Sequence, residues 1–160
     1  MHSTTWHDWM GLALEQAAQA ASKEEVPVGA LLVGSGDTLL SCNHNRTIEF
    51  SDPTAHAEIL VLRQGAQIRS NCRLTDAVLV CTLEPCLMCL GACVQARIQG
   101  LVFGTRDPKS GVIFSRLHRE FDLPWLNHRF WVLEGVRDGE SARLLSDFFA
   151  LRRSKPDNPD

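Results

Sequence analysis

The alternation of apolar and polar residues along this 160-residue chain predicts a series of helices and strands. Near the start, apolar residues recur every three or four positions, which places them on one face of a helix: Trp6, Met10, Ala13, Ala17 and Ala21. Several later runs are apolar at almost every position, as in strands buried on both faces. The predicted helices run from a cap at Thr4 or Thr5 to about residue 21, and over about residues 54–68, 85–97 and 141–153. The predicted strands cover about residues 28–33, 38–42, 77–81, 100–103 and 130–133.

Turn-forming residues indicate how these elements are connected. Residues 34–37 (Gly-Ser-Gly-Asp) predict a turn between the first two strands. The third strand, its helix and the fourth strand form a unit whose two strands are predicted to be parallel. A weaker helical pattern covers residues 115–121, and residues 155–160 are predicted to be a disordered tail. The predicted fold class is α/β: a single three-layer α/β/α domain over residues 1–154, with a five-stranded mixed sheet and helices on both faces.

Composition narrows the range of functions. A net charge of −3 and a pI of about 6.1 argue against a protein that binds nucleic acid over its whole surface, but they leave room for a local basic patch. No run of 18 apolar residues exists, so no membrane span is expected. The first 21 residues contain no Lys or Arg, unlike signal and transit peptides, which favours a cytoplasmic protein.

Two short motifs contain the residues with the clearest chemistry. His56-Ala57-Glu58 begins one predicted helix, and Pro85-Cys86-Leu87-Met88-Cys89 begins another. Together they supply one imidazole and two thiols as metal ligands, with a carboxylate beside them. Catalytic zinc needs three protein ligands, an open fourth position and a group that moves protons. The motifs therefore predict a catalytic zinc site.

The spacing within each motif predicts where the metal would lie. Cys86 and Cys89 are three residues apart, so they share one face of a helix. His56 and Glu58 are two residues apart and would point about 200° apart on a regular helix. They converge only if the metal lies beyond the helix N-terminus, toward which side chains lean. Both helices are thus expected to begin at the metal, where their dipoles favour thiolates.

Other uses of these residues fit less well. A structural zinc site needs a fourth ligand, and Cys93 would lie about 10 Å along the helix from Cys86, whereas two zinc-bound thiolates are within about 4.6 Å. A redox pair would leave His56 and Glu58 without a role. Cys93 is therefore interpreted as a small core residue. The same interpretation is given to Cys42, Cys72 and Cys81.

Glu58 is the predicted proton carrier. Its neighbours at 59–62 are all apolar, so the helix is predicted to be mostly buried and a solvated carboxylate is not expected there. Beside zinc, Glu58 would take a proton from water, which attacks the carbon bearing an exocyclic amine. It would then deliver protons to the ring nitrogen and to the departing ammonia.

Four runs give the chain a family resemblance. Residues 25–33, 52–59, 82–89 and 144–149 resemble bacterial tRNA-specific adenosine deaminases of the TadA type, within the zinc-dependent cytidine/deoxycytidylate deaminase superfamily. The resemblance implies a cytidine-deaminase-like fold and one Zn²⁺ per subunit of a homodimer. It also implies hydrolytic deamination of adenosine to inosine at wobble position 34 of a tRNA anticodon.

The resemblance also implies roles for individual residues. His56, Cys86 and Cys89 match the zinc ligands, and Glu58 matches the proton shuttle. The matching substrate-binding residues are Val28, Asn45, Ala57, Pro85, Asp107, Lys109, Phe148 and Arg152. Phe148 and Arg152 are four residues apart on one helix face, although either Phe148 or Phe149 is expected to be a core residue.

The chain departs from the family pattern at residues 112–114 (Val-Ile-Phe) and 124–126 (Pro-Trp-Leu). These departures bear on the RNA contacts and the dimer surface rather than on the zinc site. A free-base or nucleoside deaminase, such as a guanine deaminase, is the alternative enzyme. The alternative without catalysis is an interaction domain in which zinc has only a structural role. Such a domain would have a fourth protein ligand on the zinc.

Overall fold

The computed structural model describes residues 4–116 and 123–155, which form four helices and five strands. The helices are α1 (Trp6–Ser22), α2 (Ala57–Arg69), α3 (Leu87–Ala96) and α4 (Asp138–Ser154). The strands are β1 (Gly29–Gly34), β2 (Thr38–His44), β3 (Val78–Leu83), β4 (Gly100–Thr105) and β5 (Trp131–Leu133). No helix in the described part of the chain is both long enough and apolar enough to cross a membrane.

The strands form one mixed sheet in the order β2-β1-β3-β4-β5. β1 pairs antiparallel with β2 and with β3, whereas β3, β4 and β5 are mutually parallel. The predicted five-stranded mixed sheet and the parallel pair around α3 are therefore confirmed. Because the ends of β3 and β4 lie side by side, the loops that follow them meet at one edge of the sheet.

Helices cover both faces of the sheet, as expected for three layers. α2 and α3 pack on one face around Leu79, Leu101 and Phe103. α1 and α4 pack on the other face around Leu31, Val80 and Val102. The α/β/α architecture of the prediction is confirmed.

The first helix follows from its cap and its apolar stripe. Thr5 accepts a hydrogen bond from the backbone of Asp8, and the Asp8 carboxylate accepts one in return, so that both satisfy amides at the helix start. The buried stripe includes Trp9 and Ala20 rather than the predicted Trp6 and Ala21, which are half-buried. Gly29 allows close packing, since a Cβ there would lie 2.0 Å from the Ala13 carbonyl oxygen.

Several predicted boundaries are wrong by a few residues. α2 begins at Ala57 rather than at residue 54, because the Asp52 carboxylate accepts the backbone N–H of Thr54 and holds these residues in a turn. β2 continues to His44, and α4 begins at Asp138 rather than residue 141. Within the predicted helical patch, residues 115 and 116 form a turn. Residues 117–121 of that patch, and 156–160 of the predicted tail, lie outside the described residues.

The cysteine interpretation is correct at two positions and wrong at two. Cys81 in β3 and Cys93 in α3 are both buried in the core between the sheet and this helix. Cys42 and Cys72 are exposed. Cys42 lies in the outermost strand of the sheet, where every second side chain points away from the core, and Cys72 lies in the polar loop after α2.

Candidate active site

The two metal-ligand motifs lie at the starts of α2 and α3. His56 is the N-cap residue of α2 and Cys86 is the N-cap residue of α3, both with extended backbone. An N-cap side chain is not constrained to the flank of its helix. This backbone geometry removes the conflict between His56 and Glu58, because only Glu58 lies within the helix.

His56, Cys86 and Cys89 form a compact group. Their ligand atoms all lie within 4.8 Å of one another. The His56 Nδ1 atom is 3.7 Å from the Cys86 Sγ atom and 3.6 Å from the Cys89 Sγ atom. A tetrahedral zinc ion with ordinary bond lengths separates sulfur and nitrogen ligands by about 3.6 Å. The three side chains therefore fit a zinc ion, and we call them the metal cluster.

The two thiols of the metal cluster differ in protonation. Hydrogen bonding from Cys89 lowers the pKa of Cys86 to about 4. The same contact, together with burial, raises the pKa of Cys89. The pair therefore contains one thiolate and one thiol at neutral pH, and a metal ion would displace the remaining proton. Cys93 does not belong to the three-residue group found among the described residues.

Glu58 is buried beside the metal cluster. Its side chain is 4% exposed, and burial raises the pKa of its carboxyl group, although the charge of His56 partly opposes this effect. Within residues 4–116 and 123–155, the Oε2 atom of Glu58 has no hydrogen-bond partner. A buried carboxylate with a raised pKa and an unused oxygen is suited to accepting and returning a proton.

The predicted pocket residues lie next to the metal cluster in the chain and in space. The Asn45 side-chain oxygen accepts the backbone N–H of Ala57 at 3.1 Å, so it caps α2 from twelve residues away. The backbone N–H of Asn45 donates to the carbonyl oxygen of Val28 at 3.0 Å. Pro85 directly precedes Cys86 and is buried. The structure thus links Val28 and Asn45 by hydrogen bonds to Ala57, which follows His56, while Pro85 precedes Cys86.

Three further buried side chains organise this region and were not singled out from the sequence. His44 is fully buried, and its Nδ1 atom lies 2.8 Å from the carbonyl oxygen of Asn45. Burial lowers the pKa of His44, so the ring is neutral and donates to that carbonyl. Glu25 accepts the backbone N–H groups of Ile48 and Glu49, each at 2.8 Å.

Glu84 is the third of these side chains, and it binds the loop after β4. The only sequence signal for Glu25 and Glu84 is a carboxylate beside a run of apolar residues. Their partners are more than 20 residues away along the chain, so no local pattern identifies them.

The predicted RNA-contacting residues lie in other elements of the fold. Asp107 and Lys109 are in the loop after β4, and Phe148 and Arg152 are in α4. Phe148 is only 8% exposed, and the Arg152 guanidinium lies 5.5 Å from the centre of its ring. Phe149 is 42% exposed and meets Phe148 edge to face. Of the two phenylalanines, Phe148 is therefore the buried one, so its ring has little surface for stacking.

The two segments that depart from the family pattern differ in burial. Ile113 is fully buried, and Phe114 packs against Phe103 with ring centres 6.0 Å apart. Trp125, in contrast, is 74% exposed. The first departure therefore contributes apolar side chains to the core, and the second places a large aromatic ring on the surface.

The fold and the site define a deaminase. The family model for MafB19-like deaminase matches residues 4–153. A tRNA-specific adenosine deaminase of Haemophilus influenzae is 47% identical over 146 residues, covering 91% of this chain and 84% of the relative. The chain belongs to the tRNA-specific adenosine deaminases within this family, and the resemblance drawn from the sequence is confirmed.

Solved structures agree with this assignment. One comes from a study of A-to-I editing by tRNA:A34 deaminases at the wobble position of transfer RNA. It has a TM-score of 0.81 and 42% identity, covering 86% of this chain and 98% of that chain. A guanine deaminase from Nitrosomonas europaea has a TM-score of 0.79 but only 22% identity, and the match covers 94% of this chain and 87% of that chain. That second likeness concerns the fold alone.

Proposed function

We propose that this chain hydrolytically deaminates adenosine to inosine at wobble position 34 of a tRNA anticodon. The observation that supports this most directly is the metal cluster with the buried Glu58 carboxylate beside it. This arrangement has three ligands, not the four of a structural zinc site. The names of the relatives, tRNA-specific adenosine deaminase and tRNA:A34 deaminase, support the choice of substrate.

The metal of this proposal is one Zn²⁺ per subunit, bound by the His56 Nδ1 atom and the Cys86 and Cys89 Sγ atoms. When bound, zinc supplies a Lewis acid that lowers the pKa of water from 15.7 toward about 7. The starts of α2 and α3 both point at this group, so two positive helix ends favour thiolate ligands.

Glu58 moves the protons of the reaction. Its carboxylate accepts a proton from the attacking water, and it returns one proton to the ring nitrogen of adenine. Glu58 then accepts the remaining proton from the newly attached hydroxyl group and passes it to the exocyclic amine. As the carbon–nitrogen bond breaks, ammonia leaves and the carbon–oxygen bond becomes the carbonyl of inosine. The raised pKa of Glu58 brings its protonated form nearer in free energy to its ionised form, which favours repeated proton transfer.

Asn45, Val28 and the backbone of Ala57 and Pro85 hold the target nucleoside. Asn45 is already fixed by its bond to Ala57, and the neutral His44 ring fixes its backbone. These contacts fix the Asn45 side chain before the substrate arrives, which reduces the entropy lost on binding. Unstacking a base requires little free energy when the base lies in a single-stranded anticodon loop.

The RNA-binding surface of this proposal lies in the outer loop and in α4. Lys109 is exposed and can meet a phosphate, and Asp107 is half-buried beside it. In α4, Arg152 with Phe148 or the more exposed Phe149 would meet the anticodon arm. The homodimer and the cytoplasmic location stay predictions.

The test is incubation of the zinc-loaded protein with an anticodon stem-loop that contains adenosine at position 34. Inosine is measured by mass spectrometry and ammonia by a coupled assay, with free adenosine, cytidine and guanine as parallel substrates. We expect inosine from the stem-loop, and none from the Glu58→Ala variant with zinc bound. Release of ammonia from guanine alone would contradict the proposed substrate and favour the free-base alternative.

A further inference from the structure

The carboxylate of Glu84 is buried two residues before the metal-ligating Cys86. Its side chain is 2% exposed at the end of β3. A charged group in such a place is stable only when hydrogen bonds replace the water it loses. The chemistry proposed above gives this carboxylate no part.

All the hydrogen-bond donors recorded for the Glu84 side chain come from one loop, residues 106–116. One oxygen accepts the backbone N–H groups of Phe114 at 2.7 Å and Ser115 at 2.9 Å. The other oxygen accepts the backbone N–H of Asp107 at 2.9 Å and the Ser115 hydroxyl. These four hydrogen bonds supply the partners that a buried carboxylate needs.

The same loop is attached to the metal-ligating segment. The backbone N–H of Val112 donates to the carbonyl oxygen of Pro85 at 3.1 Å, and Gly111 forms an antiparallel bridge with Cys86. A Cβ atom on Gly111 would lie 2.4 Å from the Glu84 Oε2 atom, so only glycine fits there. The loop is thus held at a fixed distance from the metal cluster.

The outer side of the 106–116 loop presents positive charge. Lys109 is exposed, and its backbone N–H donates to the Asp107 carboxylate at 3.0 Å. Arg116 is also exposed, and its guanidinium donates to the Lys109 carbonyl oxygen at 2.9 Å. Such cations are suited to a nucleic-acid phosphate. Both lie beyond the carboxyl ends of parallel strands, where ligands bind in open α/β sheets.

We propose that Glu84 is a positioning residue that sets the place of Lys109 relative to the metal cluster. A substrate phosphate on Lys109 and a target base at the metal cluster can then be bound together. Glu84 acts through the loop and does not touch the substrate. This inference rests on the proposed RNA substrate and deepens that function.

A purely structural role for Glu84 makes a different prediction. If Glu84 only stabilised the fold, its replacement would lower the amount of active protein but would leave Lys109 equally important in the molecules that remain folded. If Glu84 positions Lys109, the benefit of Lys109 depends on Glu84. A double-mutant cycle measures this dependence.

The experiment compares wild type, Glu84→Gln, Lys109→Ala and the double variant, all zinc-loaded, on the anticodon stem-loop. Glutamine keeps the shape of the glutamate side chain. However, each carboxylate oxygen of Glu84 accepts a backbone N–H, so the NH₂ group of glutamine would place one donor against another. We expect each single variant to raise KM about tenfold, a free-energy change of about 1.4 kcal/mol. We expect kcat to change less than KM, and the double variant to differ from Glu84→Gln by less than about twofold.

Salt dependence gives a second readout. If Lys109 no longer meets its phosphate, the slope of log(kcat/KM) against log salt becomes shallower by about one in Glu84→Gln. Asp76→Asn is the matched control, because its carboxylate binds Ser35 and Arg69 away from the site. We expect this control to keep the wild-type KM and salt slope.

If Glu84→Gln does not fold, Ser115→Ala replaces it in the cycle, since it removes one donor and keeps the carboxylate. Additive losses in the cycle, or an unchanged salt slope, would overturn the positioning role. Wild-type protein that makes no inosine from the stem-loop would instead overturn the proposed function, and the inference with it. The two failures are therefore distinguishable.

Discussion

The metal cluster and the outer RNA-contacting residues are held in place by different means. His56 and Cys86 are N-cap residues of two helices, and short local backbone segments fix them. Lys109 and its loop are held by side chains that are distant in the sequence, above all Glu84. The chemical centre is thus encoded locally, and the surrounding surface is encoded by long-range contacts.

This difference predicts separate consequences of mutation. Changes in the metal cluster should abolish metal binding or chemistry. Changes in the outer residues should alter substrate binding or folding while leaving the chemistry intact. The following variants test this division, beginning with the largest expected effect.

Cys89→Ala should abolish activity. It removes one of three ligands, and the two that remain cannot bind zinc tightly. Zinc content measured by mass spectrometry should fall from about one per chain to near zero, and the melting temperature should fall because bound metal contributes folding free energy. Cys42→Ala, at an exposed cysteine, is the control and should behave as wild type. Normal zinc content in Cys89→Ala would be incompatible with the proposed ligand set.

Glu58→Gln should reduce kcat by about 10²–10⁴-fold with zinc retained, because glutamine cannot accept a proton from water. The measurement is stem-loop turnover together with zinc content. Glu15→Gln, at an exposed position of α1, should have no effect. Wild-type turnover by zinc-loaded Glu58→Gln would show that another group transfers the protons.

Phe148→Ala and Phe149→Ala should separate packing from RNA binding in α4. Phe148 is buried, so its truncation should lower the free energy of unfolding by about 3 kcal/mol. Phe149 is exposed, so its truncation should cost less than about 1 kcal/mol. Urea unfolding measures both values. Equal losses for the two variants would argue against this assignment of the core.

Glu84→Gln should lower the free energy of unfolding by about 1 kcal/mol at pH 7, since one buried donor loses its partner. Because folding lowers the pKa of Glu84 below its ordinary value of 4.5, its stabilisation is present above pH 4.5 and is lost as the pH falls through the lowered pKa. The stability difference between wild type and variant should therefore shrink at acid pH. Urea unfolding from pH 7 down to about pH 3 tests this, and a difference that grows on acidification would refute it.

Much of the fold could be predicted from the sequence because its signals are local. The apolar runs of β1, β3 and β4 and the turn at residues 34–37 indicate the sheet, and the two short motifs indicate the metal cluster. The start of α2 could not be predicted, because Asn45 caps it from twelve residues away and Asp52 holds the preceding turn.

The burial and the contacts of individual side chains were the features that the sequence predicted least well. Cysteine is commonly a core residue, yet Cys42 and Cys72 are exposed. Cys42 lies in an edge strand and Cys72 in a loop, and neither position follows from the residue type. Phe148 and Phe149 are equivalent in the sequence, and only the packing of α4 distinguishes them. Glu84 resembles any charged residue until its four hydrogen bonds, from three residues 23 to 31 positions away, are known.

The most direct test of the metal cluster is X-ray absorption spectroscopy at the zinc edge of the loaded protein. The account predicts two sulfur ligands, one histidine nitrogen and one light atom from solvent. A site made of four protein ligands, or a protein that binds no zinc, would contradict it.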